Sequence, residues 1–404
     1  MKSETPLVAE DIIQYIRALP DLFPGKARLT IHEIGNGNMN FVFRVGELGR
    51  PESVSVIVKH APPYMRSVGS AWPLTVERLR LECEVLKIQQ ALCPGMVPMV
   101  YHFDHERSLL VMEDLASHTL LREGLIARQH YPQWPLHLGV FLARTLFLTS
   151  EFSLDACEVS AWKQKFANPA LVKITSDFVF TFPFAPHEMN HFTPQLESQA
   201  QEMWANRLLQ EEILALRVKF NTETHALIHG DLHTGSLMVT GGDTKVIDPE
   251  FAFYGPMGFD LGVLVANVFL NWCSLTTDTD HARDIAYRED LLKAVELMWF
   301  HFQREFRGLW NNQPRIRNTD SKEPEEVWVA LLHDAVGFAG CEMIRRVVGT
   351  SHVEDLTRIN DPAARTRSEA LALKLGQCLI LERHRLYEMS DVLALVADVA
   401  ASTL

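Results

Sequence analysis

Two acidic loops offer the plainest chemistry in this sequence. In Ile228-His229-Gly230-Asp231-Leu232-His233-Thr234-Gly235-Ser236-Leu237-Met238-Val239, an apolar strand end delivers Gly-Asp and a second apolar run resumes a few residues later. Asp231 therefore falls on a tight loop, where a carboxylate can reach a substrate hydroxyl. Fifteen residues on comes Val246-Ile247-Asp248-Pro249-Glu250, a β-branched run that ends in acids. Carboxylates at i and i+2 across a proline suit hard oxygen ligation of Mg²⁺ that bridges phosphates. Either loop alone would be an ordinary solvated turn. Together, at this spacing and each after an apolar strand, they form a candidate site.

Upstream, Ile34-Gly35-Asn36-Gly37-Asn38-Met39-Asn40-Phe41 places small residues between two strand-like runs. Backbone N–H groups of such a turn can approach phosphate oxygens, and Gly35, Gly37 and Asn40 are the candidates. On its own the turn is an ordinary hairpin. Lys59 ends the next β-branched run, where an ammonium could pair with phosphates, and Glu82 on the following helix could anchor it. Glu77 and Glu84 compete for that task, and Glu82 is preferred because it shares a face with Leu79 and Leu86.

These residues need elements to hold them. Arg28 to Ile34, Phe41 to Gly46 and Val54 to Lys59 read as strands. Thr75 to Leu92 reads as a helix stopped by Cys93-Pro94-Gly95, and Met99 to Asp104 with Ser108 to Glu113 as a strand pair. Thr5-Pro6 suits the cap and first position of a helix carrying Ile12 and Ile16. From Ala116 the periodicity turns helical, with Leu291, Val295, Trp299, Phe302 and Phe306 at helical spacing, interrupted only by a β-like stretch from Ala226 to Ile247. Asn311 to Glu325 reads as a polar loop. The layout is a small mixed lobe over residues 1–115, ending in a hinge at Met112-Glu113-Asp114-Leu115, and a larger helical lobe over 116–404.

Composition narrows the partners. The chain has 404 residues, 47% of them hydrophobic, and a formal net charge of −13. That acidity argues against nucleic acid or an anionic membrane as the main partner, since both need a basic footprint. It leaves a cationic substrate open. The six cysteines include no Cys-x-x-Cys pair, and several fall in helix-like apolar patterns, as buried reduced thiols of a cytoplasmic protein do. No secretory leader and no membrane span is expected, the most apolar stretch, Gly262 to Leu270, being short and broken by Asn267.

Strand–turn–strand, lysine, helix, hinge, His-Gly-Asp-Leu-His and a later metal-binding Asp form an ordered series that resembles the protein-kinase-like fold, an α+β architecture of two lobes. His-Gly-Asp-x-His resembles its small-molecule branch, which includes aminoglycoside phosphotransferases and choline kinases. More narrowly, Gly37-Asn38-Met39-Asn40-Phe41-Val42-Phe43-Arg44-Val45, His229 to Ser236 and Val246-Ile247-Asp248-Pro249-Glu250-Phe251-Ala252-Phe253-Tyr254-Gly255-Pro256 resemble the S-methyl-5-thioribose kinase family, the likeness running from about Gly35 to Arg346.

That resemblance implies ATP-dependent phosphorylation of the 1-hydroxyl of methylthioribose in methionine salvage, by a cytoplasmic and homodimeric enzyme, with ATP between the lobes and a sugar pocket on the helical one. It implies that Asp231 is the base or orienting carboxylate, and that Asp248 and Glu250, spanning Pro249, ligate Mg²⁺. Asn40 and Lys59 would contact phosphates, and backbone groups of Glu113, Asp114 and Leu115 would hold adenine. Arg345-Arg346 become substrate or transition-state contacts, Arg346 preferred; without the resemblance they read as favourable charges ending a helix. Trp72, in Gly69-Ser70-Ala71-Trp72-Pro73, is either a lid over the substrate or a packed loop aromatic.

Two features depart from the wider kinase pattern. Asn40 stands near the third glycine of the phosphate turn, so a side-chain amide could replace a backbone contact. Ser236 stands where most relatives carry a metal-binding Asn, which leaves Glu250 to supply that ligation. His229 and His233, at i and i+4 on a strand-flanked loop, read as hydrogen-bonding braces rather than a zinc pair, and Asp260 as a further brace. The competing functions are a kinase of another small alcohol, of aminoglycoside or choline type, and a catalytically silent nucleotide-binding protein.

Overall fold

The computed structural model describes residues 9–20, 22–24, 27–34, 39–49, 55–66, 69–275, 281–313 and 325–403. The chain packs as two units, Met1–His118 with Lys245–Phe251, and Thr119–Thr244 with Ala252–Leu404. The Asp248 loop, which chain order would leave among the helices, thus packs with the first unit.

The first unit is built on a five-stranded antiparallel sheet. Helix α1 (Ala9–Ala18) precedes β1 (Leu29–Glu33), β2 (Phe41–Glu47), β3 (Ser55–His60), the short β4 (Tyr64–Met65) and β5 (Gly69–Pro73), helix α2 (Glu77–Leu92), β6 (Val100–Asp104) and β7 (Leu109–Glu113). The sheet order is β1-β2-β3-β7-β6, and β4 pairs with β5 as a separate ribbon. Strand alternation sets the two faces. Phe43 and Val45, Val56 and Val58, and Leu109 and Val111 form one core with Ile12 and Ile16 of α1. Lys59, out of step with Val56 and Val58, belongs to the opposite face. The start expected for α1, at Thr5-Pro6, and the turn carrying Gly35 and Gly37 lie outside the described residues.

The second unit is mainly helical. β8 (Thr119–Leu120) leads into α3 (Leu121–Ile126), α4 (Trp134–Leu148), α5 (Ala156–Lys165), α6 (Pro169–Phe180), α7 (Glu197–Ala205) and α8 (Arg207–Thr222). Short strands β9 (Ala226–Ile228), β10 (Leu237–Val239), β11 (Thr244–Val246, its last two residues counted with the first unit) and β12 (Phe253–Gly255) follow. The chain then forms α9 (Gly258–Ser274), α10 (His281–Asn312), α11 (Glu325–Val348), α12 (Glu354–Thr357), α13 (Pro362–Glu382) and α14 (Met389–Thr403). α4 packs along α10, and α11 packs against α9 and α13. Gly139 permits the first contact, since a Cβ there would stand 2.6 Å from the Met298 carbonyl oxygen. Helix α11 is long and apolar enough to cross a membrane, yet 78% of its most apolar window is buried within the protein, as befits a core helix. The apolar stretch on α9 noted in the sequence is likewise buried.

Candidate active site

The first unit gathers one set of predicted residues. β3 lies between β2 and β7, with Lys59 opposite Val42 and Leu110. The buried Lys59 Nζ donates to Glu82 Oε1 at 2.5 Å and to Asp248 Oδ1. Burial pulls the ammonium toward its neutral form, but the charges of Asp248, Glu82 and Glu250 outweigh it and hold Lys59 well above its ordinary pKa. Burial raises Glu82, and the Asp248 and Glu250 charges add to that rise against the pull of Lys59. Glu77 and Glu84 pair instead with Arg80 on the outer side of the helix. Periodicity of α2 is what selects Glu82, since Leu79, Glu82 and Leu86 are buried together.

Asp248 follows β11 with φ +64°, a left-handed conformation that aspartate tolerates better than most residues. Pro249 then opens a single 3-10 turn, Pro249–Phe251, which packs against α2. Glu250 Oε2 accepts from Asn40 Nδ2 at 2.8 Å. Asn40 Oδ1 in turn accepts from Arg78 Nε at 3.0 Å, so both ends of the amide are engaged inside the protein. Arg78 escaped the sequence reading. It is fully buried, donates to the carbonyls of Met39, Pro62 and Thr75, and stands 3.6 Å from Glu250. Its position four residues before Glu82, on the same buried face, was the available signal.

Asp248 and Glu250 fit a divalent cation of the magnesium type. Both are hard oxygen donors, and the Asp248 side chain is 43% exposed while Glu250 is held by Asn40 and Arg78. Among the described residues no cluster of three or more His, Cys, Asp or Glu side chains forms a closed metal cage. Mg²⁺ keeps waters of its own and takes one or two protein carboxylates plus phosphates.

The segment Met112-Glu113-Asp114-Leu115 is braced through side chains. Asp114 accepts from Arg44 Nε at 2.7 Å and Ser55 Oγ at 2.6 Å. The Glu113 N–H donates to the Met99 carbonyl at 2.8 Å, and Leu115 is buried. Trp72 is half-buried on β5.

The second unit holds the other set. Ile228, the last residue of β9, pairs with Phe253 of β12, and the chain then turns through Gly230 at φ +83°. Buried Asp260, in the first turn of α9, accepts from the His229 N–H at 2.7 Å and the Gly230 N–H at 2.9 Å, bracing the loop as expected. Ser236 Oγ donates to the Asp231 carbonyl at 2.9 Å and lies 3.1 Å from His233 Nδ1. His229 Nδ1 accepts the Asp231 N–H at 3.3 Å. Both histidines therefore hydrogen-bond within the loop. Burial, and then the charges of Arg122 and Arg346, hold His233 well below its ordinary pKa, so it is a neutral brace.

Around the partly exposed Asp231 carboxylate stand His233 Nε2 at 3.6 Å and Arg345 Nη2 at 3.8 Å. Of the two arginines it is Arg345 that lies in ion-pair range of Asp231. Arg346, preferred on sequence grounds, is buried and donates to Glu342 and to the Ser351 carbonyl. Glu342 is the anchor that sequence reading missed. Fully buried, it accepts from Arg345 Nε at 2.5 Å, Arg346 Nε at 2.7 Å and Asn267 Nδ2 at 3.3 Å. Burial raises its pKa, but the two guanidiniums more than reverse that and leave it depressed. Glu342 precedes the arginines by three and four residues on a helix, which was the signal for it.

Residues 30–304 match the phosphotransferase enzyme family (APH). Among solved structures, a choline kinase from Cryptosporidium parvum Iowa II aligns with TM-score 0.49 at 12% identity, covering 98% of this chain and 97% of that one. A methylthioribose kinase of Geobacillus sp. (strain WCH70) is 42% identical over 382 residues, 93% of this chain and 92% of that protein. One of Bacillus cereus (strain AH820) is 41% identical over 363 residues, 89% of this chain and 88% of its own length. With two thirds of its length matched by that family and near-full-length identity to these relatives, the chain belongs to the phosphotransferase enzyme family, among the methylthioribose kinases, and is a small-molecule kinase with an alcohol acceptor.

Proposed function

We propose that the enzyme transfers the γ-phosphoryl group of ATP to the 1-hydroxyl of S-methyl-5-thioribose, giving S-methyl-5-thioribose 1-phosphate and ADP within methionine salvage. The observation that carries this choice is the setting of Asp231, with Arg345 3.8 Å away and both Arg345 and Arg346 fixed by buried Glu342. Guanidiniums beside the accepting group suit a neutral sugar that becomes an anionic phosphate. They oppose choline or an aminoglycoside, which need aromatic or acidic cages.

In this reading Asp231 orients the acceptor hydroxyl and takes its proton as the oxygen attacks phosphorus in line. Arg345 donates to the acceptor and offsets charge on the transferring group. In the first unit Lys59 pairs with nucleotide phosphates, and the backbone of 113–115 serves adenine. Asp248 and Glu250 would hold Mg²⁺, which when bound neutralises phosphate charge. Asn40, with its amide committed to Glu250 and Arg78, acts by fixing Glu250. The same proposal places the enzyme in the cytoplasm.

The test is acceptor-dependent ADP formation across a panel of methylthioribose, ribose, choline and kanamycin, with the product read by phosphorus NMR. Methylthioribose should give the highest kcat/KM and a phosphate on the anomeric carbon. Preference for a cationic acceptor would overturn the proposal.

A further inference from the structure

Beside the twin arginines lies a third, Arg122, in the first turn of α3. Its Nη2 donates to Asn267 Oδ1 at 2.9 Å, and Asn267 passes the connection to Glu342. Gly235 of the catalytic loop makes room for it: a Cβ there would meet Arg122 Nη1 at 2.9 Å and His233 Cε1 at 3.0 Å. Arg122 thus packs directly on the loop that presents Asp231, and senses the charges of Asp231, Arg346 and Asp355.

Asp355, on α12, mirrors this arrangement from the other side. Its side chain is almost fully buried, and Asn271 Nδ2, one turn along α9 from Asn267, donates to its Oδ1 at 2.7 Å. Each member of the pair is therefore tethered at one end by an asparagine of α9. At the other end Nε of Arg122 and Oδ2 of Asp355 face each other as an ion pair at 3.5 Å, too long for a hydrogen bond, so each buried atom lacks one. Asn271 Oδ1 is a third such atom. Buried donors and acceptors without partners are costly and uncommon. Here a donor and an acceptor lie side by side, next to the loop that holds the reacting carboxylate.

We propose that Arg122 Nε and Asp355 Oδ2 form a hydroxyl-reading pair, which binds a second hydroxyl of the acceptor, distinct from the one phosphorylated. A sugar hydroxyl satisfies both atoms at once, accepting from the guanidinium and donating to the carboxylate. An alcohol lacking that hydroxyl leaves both unsatisfied, which is how a site built around buried polar groups discriminates. The inference deepens the assignment of a polyol acceptor and rests on it.

The experiment compares wild type with Arg122→Lys and Asp355→Asn, using methylthioribose and its 2-deoxy and 3-deoxy analogues. In wild type one deoxy analogue should lose at least about tenfold in kcat/KM. Both variants should raise KM for methylthioribose by at least about tenfold, with kcat and KM for ATP within about threefold, and should no longer distinguish that analogue from the parent. Equal discrimination by wild type and both variants, or an unchanged acceptor KM, overturns the pair. The comparison of analogues on wild type needs no folded variant, and no loss with either analogue overturns the pair by itself. If wild type ignores methylthioribose but phosphorylates another polyol, the substrate proposal fails and the same comparison is made on that polyol. Turnover only of single-hydroxyl alcohols, or of no acceptor, overturns the pair as well.

Discussion

Replacing Glu342 with Gln removes one negative charge and almost no volume, at a position with no solvent exposure. In the native protein its two oxygens take hydrogen bonds of 2.5 and 3.2 Å from Arg345 and 2.7 Å from Arg346. Both guanidiniums are largely withdrawn from water, their side chains only 12% and 8% exposed. Glutamine keeps one acceptor oxygen but turns an N–H₂ toward groups that can only donate. Breaking a buried charge pair costs about 3–5 kcal/mol, and the retained acceptor places this case near about 3 kcal/mol. For a unit of about 280 residues that is a fall of roughly 5 °C in thermal midpoint. Arg345 also loses its counter-charge while 3.8 Å from Asp231, and Asp231 becomes the nearest remaining partner. A tighter Arg345–Asp231 pair weakens Asp231 as a base, so kcat should fall by about tenfold or more while KM for ATP stays within twofold. Calorimetric melting with steady-state kinetics measures both. A variant that melts within 1 °C of wild type and turns over normally would refute the anchoring role.

Other outcomes follow from the same geometry. Asp248→Ala should remove the Mg²⁺-dependent part of nucleotide affinity, read by titration calorimetry with and without EDTA; unchanged affinity would exclude Asp248 as a ligand. His233 stays neutral when folded, chiefly through burial, whereas the unfolded chain protonates it near pH 6.5, so folding stability falls as pH drops below that value, by up to about 1.4 kcal/mol per unit. His233→Asn should flatten that decline between pH 6.5 and 5.5 in paired thermal melts, and parallel profiles would contradict it. Gly139→Ala forces a Cβ toward the Met298 carbonyl oxygen and the Phe302 N–H, and should destabilise by about 1–3 kcal/mol without changing KM for either substrate.

What the sequence made legible was local. Lys59, Asp231 and Asp248 each end or follow an apolar strand-like run, and Glu82 lies on a periodic helix face, so period and punctuation located them. The five sheet strands and α2 were readable for the same reason. The ribbon of β4 and β5 was not, because β4 has only two residues and β5, Gly-Ser-Ala-Trp-Pro, has no β-branched residue to mark a strand. The residues that were missed are defined by partners far along the chain. Arg78 meets Asn40 and Glu250, and Arg122 meets Asn267 and Asp355 across 145 residues or more. A buried arginine and an exposed one read alike until tertiary packing supplies the counter-charge. Asn40 shows the opposite case: its place in the phosphate turn was clear, but not that its amide would be committed to Glu250. The acidity of the chain gave little guidance, since several of the acids that matter here are matched by cations, Glu82 and Asp248 by Lys59, Glu250 by Arg78 and Glu342 by Arg345 and Arg346.

The most direct test of the account is the turnover of Asp231→Asn with ATP and methylthioribose. Asparagine keeps the size and loop bonds of the residue but cannot accept the proton, so kcat should fall by about 10²–10⁴ while calorimetric affinities for nucleotide and acceptor stay within about threefold. Turnover within tenfold of wild type would contradict the assignment of Asp231 as the group that activates the acceptor.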